Sequence, residues 1–341
     1  MGRVYRLWAQ TGARLAGLSP PMRETLKIFF VVLISGWLTS CGQPDADAPT
    51  GETGDDRPVV ALIMKSLANE FFVTMADGAR AHQSENSGQY QLLVNGIRNE
   101  TDLAQQVALI DQMIASGVDA IVIAPADSKA MVPALARAVE AGIVVVNIDN
   151  RLDADILGDY GLQIPFVGPD NFAGAEMVGN YLADRMSAGQ EVAILEGVPT
   201  AYNSQQRTAG FAKAVHAAGL EIVAQQSAQW DQTTAVTIAS GMLVQHPKLA
   251  AILAANDNMA LGAVAAVAQA GRAGEIVIVG FDNISAIREL IREGGVLATA
   301  DQHADLLAVY GIEVALQALE TGTRLDDRST PVDLITFDSI N

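Results

Sequence analysis

The chain has 341 residues, half of them hydrophobic and 18% charged, with a formal net charge of −18. That length and composition admit a large buried core spread over two domains, and they exclude global disorder. The acidic balance excludes partners gripped by neutralising phosphates, nucleic acid above all, and electrostatic adhesion to anionic lipid.

Residues 1–21 fit no part of an export signal, so Met22 is expected to be the true start, or 1–21 an extended leader. From Met22 the chain reads MRETLKIFFVVLISGWLTSCG, with Arg23 and Lys27 ahead of an apolar run at 28–38. That run is shorter than the about 20 residues that span a bilayer and has the size of a signal-peptide core. It ends on Leu38, Thr39, Ser40 and Cys41, which resembles a bacterial lipobox, the cysteine being lipidated. Residues 22–40 are therefore expected to be a lipoprotein signal peptide. Cys41 is the sole cysteine, so a disulfide framework and a cysteine-based zinc site are excluded. The stretch 41–57, rich in Pro, Gly and Asp, predicts a flexible, self-repelling tether to a membrane anchored by acyl chains.

Beyond the tether, short aliphatic and β-branched runs recur at 59–64, 91–94, 120–124, 143–148, 192–195, 221–223, 250–254, 276–279 and 296–300. Helix-length segments of 3.6-residue periodicity separate them. In one, Leu103, Val107, Ile110 and Ile114 share a face, with Thr101 placed to cap its start. Such alternation predicts βαβ units and parallel sheets covered by helices on both faces. The strands are too many for one compact sheet, and two similar lobes with a break near 165–169 fit better. A single (β/α)8 barrel is the alternative.

In open parallel sheets, ligands bind beyond the carboxyl ends of the strands. Those ends carry Lys65 and Ser66, then Pro125, Ala126 and Asp127, then Asp149, Asn150 and Arg151. In the second half come Glu196, Trp230 and Asp231, Asn256 to Asn258, Phe281 to Asn283, and Asp301 with Gln302. Carboxylates and amides that accept from hydroxyls, cations that donate, and aromatic faces form the set a polyol requires. Individually each fits a turn or a helix cap as well, and Asp170 and Asp257 are expected to be caps. The chain lacks G-x-G-x-x-G, a Walker A loop, H-E-x-x-H and G-x-S-x-G. His82, His216, His246 and His303 are scattered without ligand spacing and read as surface residues. No catalytic residue, metal site or cofactor is expected.

The strings ALIMKSLANEFF, AIVIAPADS, VVVNIDNR, VGPDNFAG, RTAGF, AANDNMALGA, IVIVGFDN and LATADQ, in this order and spacing, resemble the ribose-binding-protein-like (type I) family of periplasmic sugar-binding proteins. The likeness runs from about Val59 to Asp333. It implies two doubly wound parallel-sheet lobes joined by three crossing strands near Gly168, Gln302 and Asp333. The lobes would be 58–168 with 303–332, and 169–302 with 333–341. It also implies that Phe71, Phe72 and Trp230 sandwich a sugar or polyol, and that Asp149, Arg207, Asn256, Asp282 and Gln302 bond its hydroxyls. Asn69 and Asn150 belong to the same expected site. Four positions depart from the ribose-type pattern: Lys65 stands for a small hydroxyl residue, Glu70 for a proline, Ala124 for an asparagine and Asn150 for an arginine. Lys65 is expected to turn its ammonium into the cleft.

The resemblance implies an extracytoplasmic monomer that delivers its carbohydrate to an ABC permease and its ATPase. A sugar-sensing receptor for chemotaxis or a histidine kinase is the alternative with the same clamp. A transcription regulator of this fold would need a DNA-binding headpiece where the export signal lies. An enzyme using Asp149 and Asp282 as an acid/base pair has no motif behind it.

Overall fold

The computed structural model describes residues 56–340. The expected signal peptide, the lipidation of Cys41 and nearly all of the tether fall outside those residues. Among the described residues, no helix is long and apolar enough to cross a membrane.

The first half alternates strand and helix: β1 (Val59–Ser66), α1 (Glu70–Glu85), β2 (Gln91–Ile97), α2 (Leu103–Ala115), β3 (Ala120–Ile123), α3 (Val132–Glu140), β4 (Val144–Ile148), α4 (Ala154–Asp159) and β5 (Phe166–Pro169). The second repeats the plan: α5 (Asn171–Ala183), β6 (Glu191–Glu196), α6 (Tyr202–Ala217), β7 (Glu221–Ser227), α7 (Gln232–Gln245), β8 (Leu249–Ala254), α8 (Asp257–Gln269), β9 (Val277–Val279), α9 (Ser285–Glu293) and β10 (Ala298–Asp301). It closes with α10 (Ala304–Thr321), β11 (Arg328–Thr330) and β12 (Asp333–Thr336).

Two six-stranded sheets result, ordered β11-β5-β4-β3-β1-β2 and β12-β10-β9-β8-β6-β7. All pairings are parallel except β10 with β12, where Asp301 faces Asp333. Central strands read as continuous apolar runs because helices cover both faces: β1 is buried from Val60 to Ser66 and β3 throughout. The edge strands β2 and β7 are half-exposed instead. Two separate open sheets exclude the barrel alternative.

The chain passes between sheets three times. It leaves the first after β5, returns between β10 and α10, and crosses again between β11, beside β5, and β12, beside β10. The helix α10 packs back on α1, β3 and β4. Three short links between two lobes form a hinge. The strands β5, β11 and β12 were not visible as apolar runs, since each has only three or four residues.

Two expected caps move by one residue. Asp102, not Thr101, caps α2 by accepting from the Gln105 N–H, while Thr101 bonds Asn99. Asn256, not Asp257, caps α8 through the Met259 N–H. Asp170 caps α5 as expected.

Candidate functional site

The carboxyl ends of both sheets face each other across a cleft, and at its centre lies a narrow cavity of about 10 Å³. That is about the space of one water molecule, so the two walls stand close together.

The first lobe builds one wall. Lys65, the penultimate residue of β1, is 2% exposed, and its ammonium stands 2.9 Å from Asp149 Oδ2 and 4.0 Å from Glu100 Oε2. Asn69 begins α1 by accepting the Phe71 N–H and donates its amide to Glu100 Oε1 at 3.0 Å. Phe71 and Phe72 pack edge to face at 5.1 Å, and both line the cavity. Neither is core alone, although adjacent helical positions diverge by about 100°. The Lys65 ammonium lies 5.6 Å from the centre of the Phe72 ring.

The second lobe builds the other wall. Arg207 on α6 is 2% exposed: Nε donates to Asn171 Oδ1 at 2.8 Å, Nη1 to the Ala255 carbonyl at 2.9 Å, and Nη1 pairs with Asp282 Oδ1 at 3.3 Å. Its guanidinium stacks 3.8 Å from the Phe281 ring centre. Asn256 spends its oxygen on the α8 cap, so its amide nitrogen is what it can offer a ligand. The Trp230 ring lies against Gly197, where an added Cβ would come within 2.1 Å of it. From the hinge, Gln302 donates to Asp282 Oδ1 at 2.7 Å.

Backbone strain concentrates here. Asp149, Trp230 and Asp282 have φ of 62°, 65° and 127°, values that L residues rarely adopt and that recur at ligand clamps. Four buried side-chain atoms of the cavity wall have no hydrogen-bond partner in the protein: Asp149 Oδ2, Asn203 Oδ1, Trp230 Nε1 and Gln302 Oε1. The Lys65 ammonium is near enough to Asp149 Oδ2 for an ion pair but is not aligned for a hydrogen bond. Buried polar atoms are seldom left so, and acceptors and a donor converging on one space match a ligand rich in hydroxyls.

Charge in the cavity nearly balances, with three carboxylates (Glu100, Asp149 and Asp282) against two cations (Lys65 and Arg207). Burial pushes the Glu100 carboxyl up from its ordinary range, opposed by Lys65 and the Asn69 hydrogen bond. Burial likewise raises Asp282 well above the usual value, opposed first by Arg207. Lys65 and Arg207 each already face a carboxylate partner, so neither cation is left free for an anionic guest, which favours a neutral one.

Ten of the expected ligand residues line this space: Lys65, Asn69, Phe71, Phe72, Asp149, Arg207, Trp230, Asn256, Asp282 and Gln302. Asn150 does not. Its Nδ2 donates to the Pro125 carbonyl, and its Oδ1 accepts from Ser128 and from the Asn203 N–H, behind the cavity wall. Two lining residues, Glu100 and Asn203, were not expected. Glu100 follows β2, the one early strand whose carboxyl end was passed over, in a polar stretch that reads as a solvated turn. Asn203 lies in the first turn of α6, beyond the strand end itself.

Outside this space is a wider mouth lined by Ser66, Arg98, Thr101, Gln229 and Asn258, among others. Asn69, Glu100 and Trp230 border both, so they form the partition between mouth and cavity.

Comparison with known proteins places this geometry among relatives. A family profile described as "Periplasmic binding protein domain" matches residues 60–323. The D-ribose/D-allose-binding protein of Pseudomonas aeruginosa is 54% identical over 285 residues, covering 82% of this chain and 89% of that protein. An ABC transporter solute-binding protein from Burkholderia multivorans, solved with an unknown ligand represented as α-D-erythrofuranose, superposes with a TM-score of 0.81 at 54% identity, over 82% of this chain and 99% of that one. One from Actinobacillus succinogenes with bound D-allose gives 0.79 at 36% identity, over 83% and 99%.

Proposed function

This chain belongs to the periplasmic binding protein domain family, whose members work outside the cytoplasm, and we propose that it captures a neutral monosaccharide of the D-ribose and D-allose type for an ABC importer. The observation that carries this reading is the convergence of buried acceptors without a hydrogen-bond partner, the Trp230 and Phe72 rings and a near-neutral set of charges on one small space between two lobes. Hydroxyls would bond Asp149, Asn203, Arg207, Asn256, Asp282 and Gln302, while the C–H faces of the sugar meet the aromatic rings. Glu100 would hold Lys65 and Asn69 in place.

Capture proceeds by closure. Sugar bound to one lobe recruits the other and shifts an open–closed equilibrium by its higher affinity for the closed form. The closed form then docks on the permease. Lys65, where ribose-type relatives have a small hydroxyl residue, adds a donor and narrows the space on the Asp149 side. Lipidation of Cys41 would tether a monomeric chain to its membrane, and acyl-chain mass on the 41–57 segment tests this.

A thermal-shift screen against pentoses, hexoses, inositols and sugar acids tests the ligand class. D-allose or D-ribose is expected to raise the melting temperature and an aldonate to leave it unchanged. Stabilisation by the aldonate alone contradicts a neutral guest.

A further inference from the structure

Three of the second lobe's helices supply their own N-caps: Asp170 for α5, Asp231 for α7 and Asn256 for α8. The other two, α6 and α9, begin after Ala201 and Ile284, whose side chains hold no acceptor. Their first N–H groups are nevertheless satisfied, and the acceptors come from the opposite lobe. Ser128 Oγ accepts from the Tyr202 N–H at 2.9 Å and Asn150 Oδ1 from the Asn203 N–H at 3.2 Å. Glu70 Oε1 accepts from the Ser285 N–H at 2.8 Å.

We infer that Glu70, Ser128 and Asn150 are positioning residues that cap α6 and α9 across the cleft, and that these caps set how long the clamp stays shut. A helix N-terminus presents several unpaired N–H groups and a partial positive charge, so an acceptor there is stabilising, a carboxylate most of all. When the lobes part, all three bonds break together and water must replace them. The caps therefore favour the closed form without touching the guest. The two capped helices follow β6 and β9, which β8 separates in the sheet. They lock the lobes at two places, over strands that are not neighbours in the sheet. Asn150 thus has a task although it does not face the cavity: its side chain is held by Pro125 and aimed at the other lobe.

The inference rests on the clamp reading given above, and amide exchange separates the two. Exchange at Tyr202, Asn203 and Ser285 is measured by NMR on the whole chain, with and without saturating D-allose. In Glu70→Ala all three amides are expected to exchange about fivefold faster in at least one condition, the remote pair with the local one, because one opening exposes them. Ser128→Ala should in turn speed exchange at Ser285. Dissociation of D-allose should quicken about fivefold with association unchanged, and Glu70→Gln, which keeps the acceptor but not the charge, should fall between. If each variant alters only the helix it caps, in both conditions, the inference is overturned, whether or not sugar binds. If the amides are coupled yet neither D-allose nor D-ribose binds, the caps stand and the sugar assignment alone fails.

Discussion

Arg207 illustrates why one side chain serves both the fold and the site. It has three protein acceptors and an aromatic face, and it holds Asp282 at the cavity wall. Asp282→Ala should weaken D-allose binding by about 2–3 kcal/mol, since it removes an acceptor and leaves Arg207 short of its partner. Calorimetry showing unchanged affinity would remove Asp282 from the site. Arg207→Ala should lose affinity and also lower the melting temperature, because Asn171 and the Ala255 carbonyl lose their buried donor. Arg207→Lys keeps the charge without the planar fork, so it should recover part of the stability and little of the binding. Gly197→Ala tests the stacking surface: the added methyl cannot coexist with the Trp230 ring. Weakened sugar binding and an altered Trp230 emission are expected, and unchanged values of both would show that the ring position is immaterial.

Elements explain which site residues the sequence made legible. A strand's carboxyl end is easy to locate when the strand is a buried apolar run, and Lys65, Asp149, Asn256 and Asp282 were found that way. Glu100 was missed because β2 is an edge strand of mixed exposure with an indistinct end. Caps slipped by one residue because Thr101 and Asp102, or Asn256 and Asp257, are chemically equivalent candidates, and only backbone geometry separates them. Displaced from the cap, Asp257 instead ties three elements together. Its Oδ1 accepts from the Thr299 hydroxyl of β10 and its Oδ2 from the Ile284 N–H before α9, in a space that only a glycine at 280 leaves open. Burial pushes its carboxyl from 3.8 up to about 7. Between those values the folded state keeps a proton that the unfolded chain releases, so this group's stabilisation is full at low pH and is lost as pH rises towards 7. The slope for a single proton is at most about 1.4 kcal/mol per pH unit. Denaturant titrations from pH 4 to 7 should show Asp257→Asn flattening that decline, and an unaltered profile would contradict the assignment.

At the level of the molecule, alternation of apolar runs with helical segments was enough for two covered parallel sheets, because continuous hydrophobic strands need helices on both faces. The hinge was not legible from such runs. Its strands are three or four residues long, and their pairing depends on contacts far apart in sequence, as between β5 and β11. The alternation of runs placed the break near 165–169, and the other two crossings followed from family resemblance alone. The trans-lobe caps were equally hidden, since Glu70 and Ser285 are 215 residues apart. Two lobes on such a hinge should give a smaller radius of gyration in X-ray scattering when D-allose is added, and no change would argue against closure. A crystal structure of the chain grown with D-allose decides between this account and its rivals. One sugar should lie between Phe72 and Trp230, with Asp282, Arg207 and Asp149 within hydrogen-bond reach of its hydroxyls. A sugar lodged elsewhere, or a cleft still occupied only by the Lys65–Asp149 pair at saturating D-allose, would contradict it.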